Sequence, residues 1–469
     1  MGMTVSLAVA TALVALASLT LSPRARTAAS FYKGHSPAGV APDMWSLALS
    51  QVTTWIFARS IMNATILGYF YGIGGALAYA AYYLSFLTGA WIIDALRFRH
   101  GFPSVQAFLH ARFGSAGTGC YNFVVGLRLL SEVFANLLVI GLIFGAEGSQ
   151  AYILAIGLVG AVTLAYSMIG GLHASIRTDV VQMWLFLVVL AALMAIALAT
   201  GRFDIGAILA STPTVENPGW VLFAVALIQV VSYPMHDPVM MDRGFIADRR
   251  TTLASFYHAA WLSIVCILAF GLLGVWAGLH KAAGESFVPT FARLLGDIPV
   301  FLFNVALIVS CMSTLDSTFA SAAKLAVVDM RLAQPSVANG RIAMLLFLLG
   351  GLGMVFVGSN DLFAAVAVSG TASLYLAPVV IFSLWLGRSD VPVWSYLLSF
   401  LAAMTAAILY FFYDNADYAR LLGPLLGFEQ KYSKLLVLCI AALVVGSSAF
   451  LVGMATSGRR QPNVTPSTA

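Results

Sequence analysis

Residues 166 to 182 read YSMIGGLHASIRTDVVQ and lie between two long apolar runs. Ser167, Gly170, Gly171 and Ala174 are small enough to let helices or a tight turn approach closely. His173, Arg177 and Asp179 are costly beside hydrocarbon, so the stretch belongs at a membrane face. It predicts a join between one spanning helix that ends near Ile169 and another that begins near Thr178. Asp179 then falls in the first turn of the second helix, where a carboxylate complements the helix dipole or faces inward toward a cation.

The rest of the chain agrees with a membrane setting. Of its 469 residues 61% are hydrophobic and 9% charged, which is outside the range of soluble domains. The formal charge of +5 is too dispersed to form a phosphate-binding cluster, so no nucleic-acid partner is expected and the bilayer is the main one. Cys120, Cys266, Cys311 and Cys439 sit in or beside apolar runs without CxxC or Cys/His spacing, as buried free thiols do. Neither a disulfide framework, a cofactor nor a metal cluster is expected.

Thirteen apolar segments are long enough to cross a bilayer: residues 3–21, 44–70, 73–97, 118–146, 150–169, 178–200, 219–237, 252–279, 298–330, 339–358, 361–386, 392–413 and 433–455. The first is followed, not preceded, by basic residues, the reverse of a secretory leader, so the N-terminus is expected outside. With that orientation fifteen Lys and Arg fall in inner loops, Arg243 among them, and six in outer ones, which favours a cytoplasmic C-terminus in the cell (inner) membrane. Residues 101–114 read as a short amphipathic helix at the interface.

Four spans carry polar groups. The second holds Ser50, Gln51, Thr53, Thr54, Trp55, Arg59, Ser60 and Asn63 on more than one face. Either the hydroxyls bond back to their own helix, or the helix is interrupted and lines a solute cavity. The ninth runs Ser310-Cys311-Met312-Ser313-Thr314-Leu315-Asp316-Ser317, a set of hard oxygen donors suited to sodium. Equally, those hydroxyls serve helix packing and Asp316 pairs with Lys324. The seventh ends in Gln229-Val-Val-Ser232-Tyr233-Pro234-Met-His236-Asp237-Pro238 and is either interrupted or ends at the inner face, with His236 and Asp237 as a structural pair. On the fourth, Arg128 and Glu132 stand four residues apart, as an ion pair or with Arg128 free to grip a substrate carboxylate.

Tyr166-Ser167-x-x-Gly170-Gly171-Leu172-x-Ala174 followed by Thr178-Asp179-x-x-Gln182 resembles the signature of the sodium:solute symporter family, and Met312-Ser313-Thr314-Leu315 resembles its ninth-helix motif. The resemblance implies an all-α, LeuT-like fold with two inverted five-helix repeats, residues 44–200 and 201–386, flanked by peripheral helices in 1–43 and 387–469. It implies sodium bound by the carbonyls of Leu49, Val52 and Ser310 and the hydroxyls of Ser313 and Thr314, with Asp179, Asp316 and Ser317 as a second cation site. Gln51, Thr53, Trp55, Arg128, Gln229 and Tyr233 are the candidate substrate-binding residues. The expected function is sodium-coupled import of a small polar solute, an amino acid or a carboxylate, with no obligate protein partner. Proton coupling through Asp179, Asp316 or His236 is the rival within transport, and a membrane sensor is the rival outside it. No HExxH motif, nor any nucleophile beside a base, points to an enzyme.

Overall fold

The computed structural model describes residues 2–36, 38–212, 214–357, 362–412 and 430–457. Among these there are helices and no strand. In order they are α1 (Met3–Leu21), α2 (Ala28–Lys33), α3 (Met44–Trp55), α4 (Ala58–Ala81), α5 (Ser85–Ile93), α6 (Val105–Phe144), α7 (Gln150–Ala199), α8 (Ile205–Leu209), α9 (Pro218–Gln229) and α10 (Tyr233–His236). There follow α11 (Pro238–Gly244), α12 (Arg249–Leu279), α13 (Phe287–Leu295), α14 (Asp297–Lys324), α15 (Val337–Val357), α16 (Leu362–Ser373), α17 (Leu376–Trp385), α18 (Val393–Phe411) and α19 (Lys431–Thr456). Nine helical stretches among the described residues are long and apolar enough to cross a membrane, and two shorter apolar helices, Pro218–Gln229 and Leu376–Trp385, accompany them. Arg420, Arg459 and Arg460, counted above in loops, lie outside the described residues.

Several of these stretches are composite. α4, α6 and α7 each contain one glycine with left-handed φ, Gly72 at 66°, Gly114 at 62° and Gly171 at 57°, where the helix is broken. A side chain is strained there, and at Gly171 an added Cβ would also lie 2.4 Å from the Phe31 carbonyl oxygen. The join expected in the opening stretch is therefore at Gly171, earlier than Thr178, and Asp179 lies about two turns into the second helix instead of in its first. Residues 105–113 form a separate helical segment ahead of Gly114, where the interfacial helix was expected.

Burial separates centre from periphery. In α1 17% of the most apolar window is buried, against 78% in the stretch Ala58–Arg99 and 72% in both α6 and the stretch Asp297–Asp329. α1 and α19 instead expose Val9, Leu13, Leu16, Val444 and Leu451, the surface that a lipid phase solvates without cost.

The closest central crossing joins α4 to α12. A Cβ on Gly68 would stand 2.3 Å from the Gly271 carbonyl oxygen, one on Gly274 2.0 Å from that of Thr65, and one on Gly278 2.3 Å from that of Tyr69. Backbone meets backbone here, as small residues permit in membrane helix pairs. Gly274→Ala is expected to lower stability by about 1–3 kcal/mol through forced separation of the two helices. Gly157→Ala, where nothing lies within 4 Å, is the neutral control, and thermal unfolding in detergent compares the two.

Candidate functional site

The polar spans meet where two helices are broken. α3 starts on Asp43, whose side chain accepts from the Ser46 N–H, and stops at Trp55. Ile56 (φ −80°, ψ 74°) and Phe57 (φ −60°, ψ 154°) are non-helical before α4 resumes. Neither proline nor glycine makes this break. Three of the carbonyls at the break are each taken by a hydroxyl: Thr314 Oγ1 donates to Thr54 O at 3.1 Å, Tyr83 OH to Trp55 O at 3.0 Å, and Ser310 Oγ to Ile56 O. Buried carbonyls need such donors, so α14 and Tyr83 hold the interruption open. The second break follows α9, whose Val230 carbonyl accepts from Thr88 Oγ1 at 2.6 Å. The chain turns through residues 230–232, makes the single turn α10, and resumes as α11 beyond Asp237. The seventh span is thus interrupted.

Val52 O accepts the Ile56 N–H at 2.9 Å within the last turn of α3, and Leu49 lies a turn earlier. The two carbonyls expected at the ion thus lie in helix, each with a second lone pair, while those of Thr54, Trp55 and Ile56 turn to partners on other elements.

α14 presents Ser310, Ser313, Thr314 and Ser317 at helical spacing along one stripe. Ser313 Oγ donates to Asp179 Oδ1 at 2.6 Å, and Ser50 Oγ of α3 donates to Asp179 Oδ2 at 2.6 Å. Asp316 does not pair with Lys324. Its carboxylate takes Ser175 Oγ at 2.8 Å, Thr178 Oγ1 at 3.0 Å and Ser317 Oγ at 3.2 Å, whereas Lys324 is held by Asp242 at 2.7 Å and Asp329 at 3.1 Å. Asp179, Asp316 and Ser317 are fully buried, as are Ser313 and, to within 1%, Thr314.

Arg243 belongs to this cluster and not to an inner loop. It is fully buried on α11, with Nε donating to Ser50 Oγ at 2.9 Å and Nη1 to the Val239 carbonyl at 3.0 Å. Nη2 reaches Ser317 Oγ at 2.7 Å, Thr54 Oγ1 at 3.1 Å and Asp179 Oδ2 at 3.1 Å. The sequence signal for it was indirect: two carboxylates in apolar spans require a cation.

Between the two breaks lies a second cluster. Glu132 accepts from both Arg59 and Arg128, and Arg128 Nη2 also reaches Asp237 Oδ2 at 2.7 Å. The Trp55 indole N–H donates to the same Asp237 oxygen at 3.2 Å. Around them the Trp55 ring centroid stands 5.7 Å from Tyr83, 5.1 Å from Phe86 and 5.7 Å from Tyr233, and the Arg128 guanidinium lies 5.2 Å from the Tyr233 centroid. Arg59 Nε and Nη1, Glu132 Oε2 and Gln51 Oε1 are buried without a hydrogen-bond partner.

Trp55, Arg128 and Tyr233 are therefore brought together as the sequence suggested. Gln229 adjoins them through Tyr82, whose hydroxyl donates to Gln229 Oε1 at 2.9 Å. Gln51 turns away, its Nε2 bonded to Ser255 of α12 at 3.0 Å, and Thr53 is buried in α3. His236 does not pair with Asp237: its Nε2 lies 3.2 Å from Ser369 Oγ, on the opposite side. Tyr82, Tyr83, Phe86 and Asp237 complete the cluster; the sequence singles out none of the first three, and it gives Asp237 only as a partner of His236.

Fold and site together define an all-helical chain with nine stretches, among the described residues, long and apolar enough to cross a membrane, and with two interrupted helices that enclose buried polar clusters. No family model matches the chain. It is similar to a solved Na+-coupled sialic acid symporter in its substrate-bound outward-open state, with a TM-score of 0.70 and 15% identity over 96% of this chain and 98% of that one. It is also similar to Mhp1, a nucleobase-cation-symport-1 family transporter solved in a closed conformation with bromovinylhydantoin bound, with a TM-score of 0.58 and 16% identity over 93% and 95% of the two chains. At these identities the likeness is one of fold. A curated relative, the urea active transporter of Saccharomyces cerevisiae, is 29% identical over 146 residues, which are 28% of this chain and 18% of that protein. The match thus spans less than a fifth of the relative's length.

Proposed function

We propose that the protein is a cation-coupled symporter of the sodium:solute symporter family that imports a small polar solute by alternating access, with sodium as the coupling ion. One observation carries this reading: the hydroxyl stripe of α14 lies against the carbonyls released by the break between α3 and α4. Such a junction of hard oxygens, with Asp179 bonded to Ser313, supplies the ligand type that sodium takes. We place Ser313 and Thr314 in the ion site together with the carbonyls of Thr54 and Ile56. The Na+-coupled symporter of the same fold supports the choice of ion.

Solute recognition is assigned to the cluster between the breaks. Arg59 and Arg128 are both matched by carboxylates, so neither is a free claw for an anion, and the earlier preference for a carboxylate solute is set aside. Unpartnered donors on Arg59 and an unpartnered acceptor on Glu132 suit a small uncharged solute that both donates and accepts, such as an amide or ureide. The stretch shared with the yeast urea transporter favours the same class. In the full scheme the chain crosses the inner membrane thirteen times with its N-terminus outside, and residues 44–200 and 201–386 rock as inverted repeats between peripheral helices.

The test is thermal unfolding of the detergent-purified protein in sodium against an equimolar organic-cation salt. An ion bound only by the folded state at about 100 times its dissociation constant adds about 2.7 kcal/mol. Wild type is expected to gain stability in sodium and Ser313→Ala/Thr314→Ala to gain none. Equal behaviour of wild type in both salts would overturn sodium coupling.

A further inference from the structure

Asp179 and Asp316 are fully buried on neighbouring helices, and a single cation, Arg243, lies in their cluster. Its guanidinium keeps its charge at any accessible pH and presents a rigid fork of donors. All three of its nitrogens are engaged, and four of its five acceptors, Ser50, Thr54, Asp179 and Ser317, are side-chain oxygens from α3, α7 and α14. These are the oxygens that a monovalent metal ion at Asp179 would take. The guanidinium touches Asp179 and Ser317, two of the three residues of the second candidate cation site.

We propose that Arg243 is a tethered cation that permanently holds this second position, so that the carrier operates with one exchangeable ion per cycle. The count follows from charge. Arg243 offsets Asp179, and Asp316, which takes the hydroxyls of Ser175, Thr178 and Ser317 and has no ion pair among the described residues, leaves when ionised one negative charge for an exchangeable partner. A buried charge left without a counter-charge is strongly disfavoured, so one monovalent ion, and not two, completes the site.

This inference rests on the symporter reading but fails separately from it. The experiment is equilibrium binding of radioactive sodium to the purified full-length protein at pH 8, counted per chain. Wild type and Arg243→Lys are expected to bind about one sodium, and Arg243→Ala, which frees Ser50, Thr54, Asp179 and Ser317, about two. Two sodium ions on the wild type would overturn the tethered cation while leaving sodium coupling intact, and needs no variant. An Arg243→Ala protein that binds no more than wild type would also overturn it. If wild type binds none and Arg243→Ala binds one, Arg243 stands as the resident cation and the sodium reading falls.

Discussion

Glu132→Ala is expected to lower folded stability by about 3–5 kcal/mol and to abolish uptake. Among the described residues Glu132 is the only ionic partner of Arg59, which is fully buried, and it shares Arg128 with Asp237. Removing the carboxylate leaves an uncompensated guanidinium in a dry interior, and the loss is set by that orphaned charge more than by the worth of the pair. Replacement of all four charges, Arg59, Arg128, Glu132 and Asp237, by apolar residues is therefore expected to restore much of the stability without restoring transport. Thermal unfolding together with uptake into proteoliposomes separates the two effects. Unchanged stability in Glu132→Ala would mean that water reaches Arg59.

Trp55→Ala is expected to cost about 3–5 kcal/mol, the range for emptying a well-packed aromatic site. Trp55 is 4% exposed and touches rings from three elements, Tyr83, Phe86 and Tyr233. It also ends α3, and its own carbonyl is one of the three taken by hydroxyls at the break, held by Tyr83. Trp55→Phe keeps most of the ring packing but drops the N–H donated to Asp237, a bond to a charged group worth about 1.5–3 kcal/mol. In uptake assays Trp55→Phe should retain transport with a weakened apparent solute affinity, whereas Trp55→Ala should show none. Equal affinity in wild type and Trp55→Phe would place the solute away from Asp237.

The helical architecture was legible because long apolar runs leave few alternatives, and the hydroxyl stripe on α14 because four residues recur at helical spacing. The break between α3 and α4 announced itself only through crowding of polar residues. Its position did not, since no proline or glycine marks it and the hydroxyls that satisfy Thr54, Trp55 and Ile56 come from Tyr83, Ser310 and Thr314, up to 260 residues away. Leu49 and Val52, the carbonyls that the resemblance implies, lie in the helix before the break. Arg243 was read as a loop residue because Pro234 and Pro238 signal the end of a helix as well as an interruption, and its acceptors Asp179 and Ser317 lie 64 and 74 residues distant. His236 and Asp237 show the same limit at short range. They are neighbours in the chain, yet one faces Ser369 and the other Trp55 and Arg128.

The solute cluster has an electrical consequence. Arg59, Arg128, Glu132 and Asp237 sum to zero charge, so the cluster carries no net charge through a membrane field when it moves as one body. A unit charge moved across 100 mV is worth about 2.3 kcal/mol, so on the proposed symporter reading the exchangeable ion, with Arg243, Asp179 and Asp316, is the expected source of voltage sensitivity. Currents in that scheme should follow the ion, and an uncharged solute should set their rate without altering how much charge crosses per turnover.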